Sequence, residues 1–228
     1  MITRRSIALE YWVKSIVGLA LIAVLLFVSA GLIDWPSAWA YLAIYAATMA
    51  IMFFLVDPDL VVERIRRQHP NQKSWDKVLL GLFGATEALL IPIIAGLNVR
   101  FRWPPDVNPW LQVLAMLLYI LGWALHLWAM RANRFHSQVS RIQDDRGQTV
   151  ITSGPYRRIR HPGYVGGILT ALFGPLMLGS VWATLVGLVG ALILIIRTDL
   201  EDKMLKEELV GYHAYAKKVR FRLIPGIW

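Results

Sequence analysis

The sequence predicts an all-α polytopic membrane protein of about six transmembrane helices, the last two paired as a C-terminal hairpin. Three observations carry that expectation. Hydrophobic residues make up 57% of the chain and charged residues only 17%, against roughly 45–50% and 25% in an average soluble domain. Segments 15–33, 35–56 and 163–196 contain no Asp, Glu, Lys or Arg, 78–99 contains only Glu87, and 107–130 has His126 as its sole group ionising near neutral pH. The basic residues, finally, crowd onto alternate connections between these runs.

The elements follow in chain order. Met-Ile-Thr-Arg-Arg before the first apolar run superficially resembles a secretory signal. The run is too long for one and no small-x-small cleavage site precedes the next span, so 15–33 is expected to be a retained helix. Segments 35–56, 78–99 and 107–130 each suit one crossing, since about 20 apolar residues span roughly 30 Å of hydrocarbon. The connection 57–77 reads as a short amphipathic interfacial helix followed by a turn. Segment 163–196 is too long for one crossing: a straight helix of that length would measure about 51 Å. Pro175, Gly179 and Ser180 near its middle predict a hairpin, with one long tilted helix as the alternative. After it, 197–219 reads as a tail helix with Leu200, Met204, Leu205 and Leu209 on one face, and Pro225 ends the regular structure.

With both termini cytoplasmic, 22 of the 24 Lys and Arg residues lie inside and two outside, the bias that sets membrane orientation. That count holds only if 163–196 crosses twice, which supports the hairpin independently of length. The net charge of +9 is thus a topological signal with some attraction to anionic headgroups. No basic-aromatic module argues for nucleic acid. Trp12, Trp35, Trp39, Trp75, Trp103 and Trp110 fall near span ends, as an aromatic belt would. The absence of cysteine excludes disulfides, thiolate metal sites and a cysteine nucleophile. No Gly-rich dinucleotide fingerprint, P-loop or His-Glu-x-x-His occurs, nor a nucleophile elbow, so a soluble nucleotide-binding domain and a metal centre are not expected. The absence of matching halves argues against an inverted-repeat transporter.

The unusual polar sequence divides the chain into spans at 1–130 and a chemistry-bearing region at 131–228. Within 131–162, Gln143-Asp-Asp-Arg-Gly-Gln148 is turn chemistry and Thr149-Val-Ile-Thr152 is β-prone. Gly154-Pro-Tyr-Arg-Arg-Ile-Arg-His-Pro-Gly-Tyr164 then offers cations, an imidazole and aromatic faces where water meets hydrocarbon. Its simpler reading is a basic anchor with interfacial tyrosines. Arg197 and Glu201, one helical turn apart, are the second cluster, and a solvated pair is their simpler reading. A hairpin returns its end to its start, so the two clusters are expected to be neighbours. Glu207 and Glu208 read as a solvated face among Lys203 and Lys206. Arg131, Asn133 and Arg134 suit a headgroup contact or a helix anchor. Glu87 and His126 are lone polar groups within spans, suited to function or to an interhelical hydrogen bond.

Thr149-Val-Ile-Thr-Ser-Gly-Pro-Tyr-Arg-Arg-Ile-Arg-His-Pro-Gly-Tyr164, a hairpin, and Arg197-x-x-x-Glu-Asp-x-x-Leu205 together resemble the isoprenylcysteine carboxyl methyltransferases and the related phospholipid methyltransferases, over roughly 131–228. The resemblance implies S-adenosylmethionine held without a Rossmann domain in a cytoplasmic pocket. It implies cofactor contacts from Arg141, Gln148, Thr149, Val150, Ile151, Tyr156, His161, Pro162, Gly163, Tyr164, Glu201 and Asp202. Arg197 takes the position of an arginine facing the methyl acceptor, and Arg197 and Glu201 are the implied catalytic pair. Two positions depart from the pattern: Asp202 stands where the family has a second glutamate, and Arg141 where some relatives have a neutral amide. The implied acceptor is lipophilic, an isoprenylcysteine-type carboxylate or related lipid reaching the site from the bilayer. An NADPH-dependent sterol-reductase-like enzyme and a non-catalytic lipid-binding protein are the rival readings.

Overall fold

The computed structural model describes residues 4–66 and 69–228. These form nine α-helices: α1 (Arg4–Ala30), α2 (Pro36–Leu55), α3 (Pro58–Ile65), α4 (Ser74–Ala85), α5 (Ile91–Phe101), α6 (Pro109–Ala132), α7 (Pro162–Met177), α8 (Val181–Glu208) and α9 (Tyr212–Lys218). A π-helical turn, Thr86–Leu90, joins α4 to α5, and Pro92 follows in the first turn of α5. The two therefore form one continuous apolar helix, Ser74–Phe101. Five helices are long and apolar enough to cross a membrane, and Pro162–Met177 is a shorter apolar one. Their exposed Leu, Val, Ile and Phe side chains suit hydrocarbon as solvent, and the chain is an integral membrane protein.

The region 163–196 is a hairpin, not one tilted helix. Chain reversal occurs at Leu178–Gly179–Ser180, where Gly179 takes φ +84°, a conformation that favours a residue without Cβ. Ser180 caps α8 by accepting from the Ala183 amide at 3.0 Å and donates to Asn98 Oδ1 at 2.7 Å. Trp182 Nε1 donates to the Pro104 carbonyl at 2.8 Å. The hairpin tip thus sits with the 102–108 connection at one end of the bundle. At the other end the 57–77 connection meets 131–162, through Lys73 N to Ser140 O at 3.2 Å, and the tail meets it through Arg160 N to Phe221 O at 2.9 Å.

Small residues bring α6, α7 and α8 together. A Cβ at Gly166 would sit 2.6 Å from the Gly122 carbonyl oxygen and 2.9 Å from the His126 amide nitrogen. One at Gly187 would overlap the Ala171 carbonyl. Without a hydrophobic drive between helices in lipid, such close approach supplies the packing. Gly166→Ala is accordingly expected to destabilise the folded protein by about 1–3 kcal/mol, whereas Gly18→Ala, with nothing within 4 Å, is expected to be neutral. Thermal unfolding of the two variants in one detergent checks the difference.

Three local expectations need adjustment. The tail helix does not begin afresh at 197. α8 runs unbroken to Glu208 and stops because Gly211 adopts φ +86° before α9. At 28 residues and about 1.5 Å per residue, α8 is longer than the roughly 30 Å of hydrocarbon, so its charged C-terminal end extends beyond it. Segment 149–152 is β-prone but forms no strand, as no neighbouring strand is present among the described residues. The 57–77 connection does start with an amphipathic helix, α3, yet it folds inward: Glu63 and Asp76 are 1% and 0% exposed.

Candidate active site

A cavity of about 550 Å³ opens between α2, α4, α6, α7 and α8, with loop 133–151 and α9 closing its polar end. Its membrane-level wall is Tyr41, Tyr45, Phe83, Glu87, Tyr119, Trp123 and His126. Its polar end takes in Arg141, Gln148, Thr149, Val150, Ile151, Tyr156, His161, Gly163, Tyr164, Arg197 and Glu201. The hairpin therefore brings the two polar clusters of the sequence onto one cavity. Pro162 and Asp202 do not line it.

Glu201 sits at the junction. One oxygen, Oε2, accepts from Tyr164 OH at 2.7 Å and from Ser140 Oγ at 2.7 Å. Among the described residues, its other oxygen, Oε1, has only His161 Nδ1, at 3.9 Å. One edge of the carboxylate is thus fixed and the other is left toward the cavity. Gly163 is small for a local reason, since a Cβ there would overlap the His136 ring. His136 Nδ1 lies 3.2 Å from Tyr156 OH, which also accepts from Asn133 Nδ2 at 3.3 Å. Burial first, then His126 and Arg64, hold the His136 imidazole well below its usual titration range, so it is neutral. Burial likewise raises the Tyr156 phenol.

Two of the arginines that line the site, Arg197 and Arg141, are held by carboxylates that the sequence did not single out. Arg197 is 5% exposed, with Nε at 3.0 Å and Nη2 at 2.5 Å from Asp76 Oδ1. Nη2 also donates to the Gln138 carbonyl at 3.0 Å. The guanidinium carbon stands 5.5 Å over the Tyr164 ring. Asp76 Oδ2 in turn accepts from the Ser140 amide at 3.0 Å and from Gln72 at 2.9 Å. Arg141 is bound by Glu63 at 2.9 Å and by Asp145 at 2.7 Å, leaving it committed to protein partners. Asp76 and Glu63 lie in the 57–77 connection, where an amphipathic pattern gave no sign of their burial. Gln148 fixes its own loop, Oε1 accepting from the Gln143 amide at 2.7 Å.

Asp202 does not line the cavity but gathers the chain behind it, with His161 Nε2, on the cavity wall, 3.4 Å from its Oδ1. It is fully buried and accepts from Arg160 Nε at 2.7 Å, Arg160 Nη2 at 3.0 Å, Arg222 Nε at 2.9 Å and Tyr212 OH at 3.0 Å. Lys206 Nζ lies 2.7 Å away. Arg160 also donates to the carbonyls of Val219 and Arg220. This hub ties the segment before α7, the end of α8 and the C-terminal tail into one unit. No cluster of three or more metal-ligating side chains occurs among the described residues.

Residues 110–209 match the family model described as phospholipid methyltransferase. The match takes in α6, the polar loop and the hairpin, and it supports the methyltransferase resemblance read from the C-terminal sequence. Among solved structures the chain is similar to the eukaryotic intramembrane Ras methyltransferase, an isoprenylcysteine carboxyl methyltransferase. That similarity has a TM-score of 0.50 at 17% identity, over 92% of this chain and 74% of the other. At this identity the likeness is one of fold. No curated protein matches the chain.

Proposed function

We propose that this protein is a membrane methyltransferase that moves a methyl group from S-adenosylmethionine to a lipophilic acceptor, an isoprenylcysteine-type carboxylate or related lipid. The observation that carries the reading is the single cavity joining a polar end around Glu201 to an aromatic wall at membrane level. A charged cofactor and an apolar acceptor meet most readily in such a two-sided space. The family-model match to 110–209 supports the same chemistry. The basic excess on the loops at the polar end supports a cytoplasmic placement of that end.

The residues present fit the cofactor. The free Oε1 edge of Glu201 suits a ribose hydroxyl or the amino group, and Gln148, Thr149, Val150 and Ile151 offer loop backbone beside Tyr156, His161 and Tyr164. Asp202 contributes through the fold, as its oxygens are taken. When bound, S-adenosylmethionine supplies a methyl group already activated on a sulfonium. The chain then has to align donor and acceptor and keep water away. Arg197, pinned by Asp76, presents a fixed donor edge that orients the acceptor oxygen. An ionised carboxylate acceptor needs no general base, so none is assigned.

Glu201→Ala is expected to weaken S-adenosylhomocysteine binding about 10- to 100-fold, the loss of one or two charge-assisted hydrogen bonds. Calorimetry on purified protein reads this directly, and unchanged affinity would remove Glu201 from the cofactor site. The same titration tests the function as a whole. Tight NADPH binding without S-adenosylhomocysteine binding would replace the reading with a reductase. Lipid binding without either nucleotide would leave a non-catalytic binder. Transfer of a labelled methyl group to membrane lipid extract would identify the acceptor fraction.

A further inference from the structure

Among the described residues, Arg64 is the one cation on the cavity wall with no anion partner. It projects from the last turn of α3 into the space between Tyr45, Met49, Met52, His126 and His136. Its only hydrogen bond among the described residues runs from Nη1 to the His136 carbonyl at 3.2 Å. Nε is buried without a partner, and no ion pair includes it among the described residues. Every Asp and Glu of the chain lies within those residues. The neighbouring cations differ in this respect. Arg197 is matched by Asp76 and Arg141 by Glu63 and Asp145. Burial pulls the Arg64 guanidinium down to about 10, still charged at neutral pH.

A half-buried guanidinium whose buried Nε has no partner is costly, and a ligand anion would remove that cost. Arg64 stands beside Tyr11 and Tyr45 of the N-terminal spans and shares the cavity wall with Met49, Met52 and His126. The ligand group beside it is therefore the acceptor's head, with the apolar chain running along Tyr45, Met49 and Met52. We infer that Arg64 binds an ionised acid on the lipophilic acceptor and selects such acids over amines and neutral lipids. The inference rests on the proposed transfer reaction and narrows its acceptor class to a lipophilic acid, methylated on oxygen. A head that carries an ammonium and no anion would meet the uncompensated charge unfavourably.

The test compares unmodified protein, Arg64→Gln and Arg64→Lys in nanodiscs, using three probes that share one farnesyl chain: farnesylthioacetic acid, the corresponding neutral alcohol and the corresponding primary amine. The unmodified protein is expected to bind the acid at least 10-fold more tightly than the alcohol or the amine. Arg64→Gln is expected to bring the acid to within about 2-fold of the alcohol, and Arg64→Lys to keep part of the preference. S-Adenosylhomocysteine affinity is expected to stay within about 2-fold in both variants. Because the charge lacks a counter-ion, Arg64→Gln is expected to leave the melting midpoint unchanged or raised, whereas a residue holding the fold by ion pairing would lower it. Equal binding of acid and alcohol by the unmodified protein overturns the inference. So does a Gln variant that loses S-adenosylhomocysteine binding while keeping its acid preference, which would assign the guanidinium to the cofactor's amino-acid carboxylate. An Arg64-dependent acid preference without S-adenosylhomocysteine binding would leave Arg64 as an acid-binding residue and overturn the methyltransferase reading alone.

Discussion

Asp202→Ala is expected to cost about 3–5 kcal/mol of folding stability, the range for removing one member of a buried charge network. Of a typical total of about 5–15 kcal/mol, that is enough to make the variant fold poorly at growth temperature. The magnitude follows from the geometry. Arg160, Arg222, Lys206 and Tyr212 all converge on one fully buried carboxylate. Removing it leaves Arg160, itself 6% exposed, as an uncompensated buried cation. Asp202→Asn keeps the shape and loses the charge, and is expected to fall between. The measurement is thermal unfolding in detergent, followed by calorimetry with S-adenosylhomocysteine on whatever remains folded. A variant that folds normally and loses only nucleotide binding would make Asp202 a cofactor contact after all.

That hub also explains a departure from the family pattern. An extra methylene, as in Asp202→Glu, would have to fit where Arg160 Nε already stands 2.7 Å from the carboxylate. The shorter side chain is thus matched to its basic neighbours and to the tail that Arg160 clasps through Val219 and Arg220. The tail's role was not readable in sequence, because hydrogen bonds from one side chain to distant backbone carbonyls leave no pattern along the chain.

Much of the architecture was legible for a simple physical reason. In a bilayer each crossing must be apolar over a fixed length, so charge-free runs and helix breakers mark the elements directly. Pro175, Gly179 and Ser180 announced the hairpin, and the hairpin announced that Tyr164 and Glu201 meet. Where the helices outrun the bilayer that rule lapses. The continuation of α8 to Glu208, and the infolding of 57–77, depend on tertiary contacts. Asp76 and Glu63 belong to a connection whose charges read as solvated, and only their arginine partners more than 70 residues away make them part of the site. A useful signal existed in retrospect: a site with several arginines needs carboxylates, and Glu201 alone was too few.

Arg197→Ala is expected to lower turnover at least 100-fold while leaving S-adenosylhomocysteine affinity within a few fold, the pattern of an interaction used chiefly in the transition state. Its placement argues for this split. Arg197 is anchored by Asp76 and lies over the Tyr164 ring, on the cavity wall between the Glu201 carboxylate and the α4 side. Asp76→Asn supplies the companion test. It leaves the guanidinium in place but releases its orientation, so it is expected to lower turnover by a smaller factor and to be non-additive with Arg197→Ala, since the two act as one unit. Were Arg197 merely structural, the Asp76 and Arg197 variants would lose stability together and keep their turnover per folded molecule. Single-turnover methyl transfer, normalised to S-adenosylhomocysteine-binding sites, separates the two cases. Equal turnover per site in all three variants would withdraw Arg197 from the chemistry and leave acceptor orientation to Arg64 and the aromatic wall.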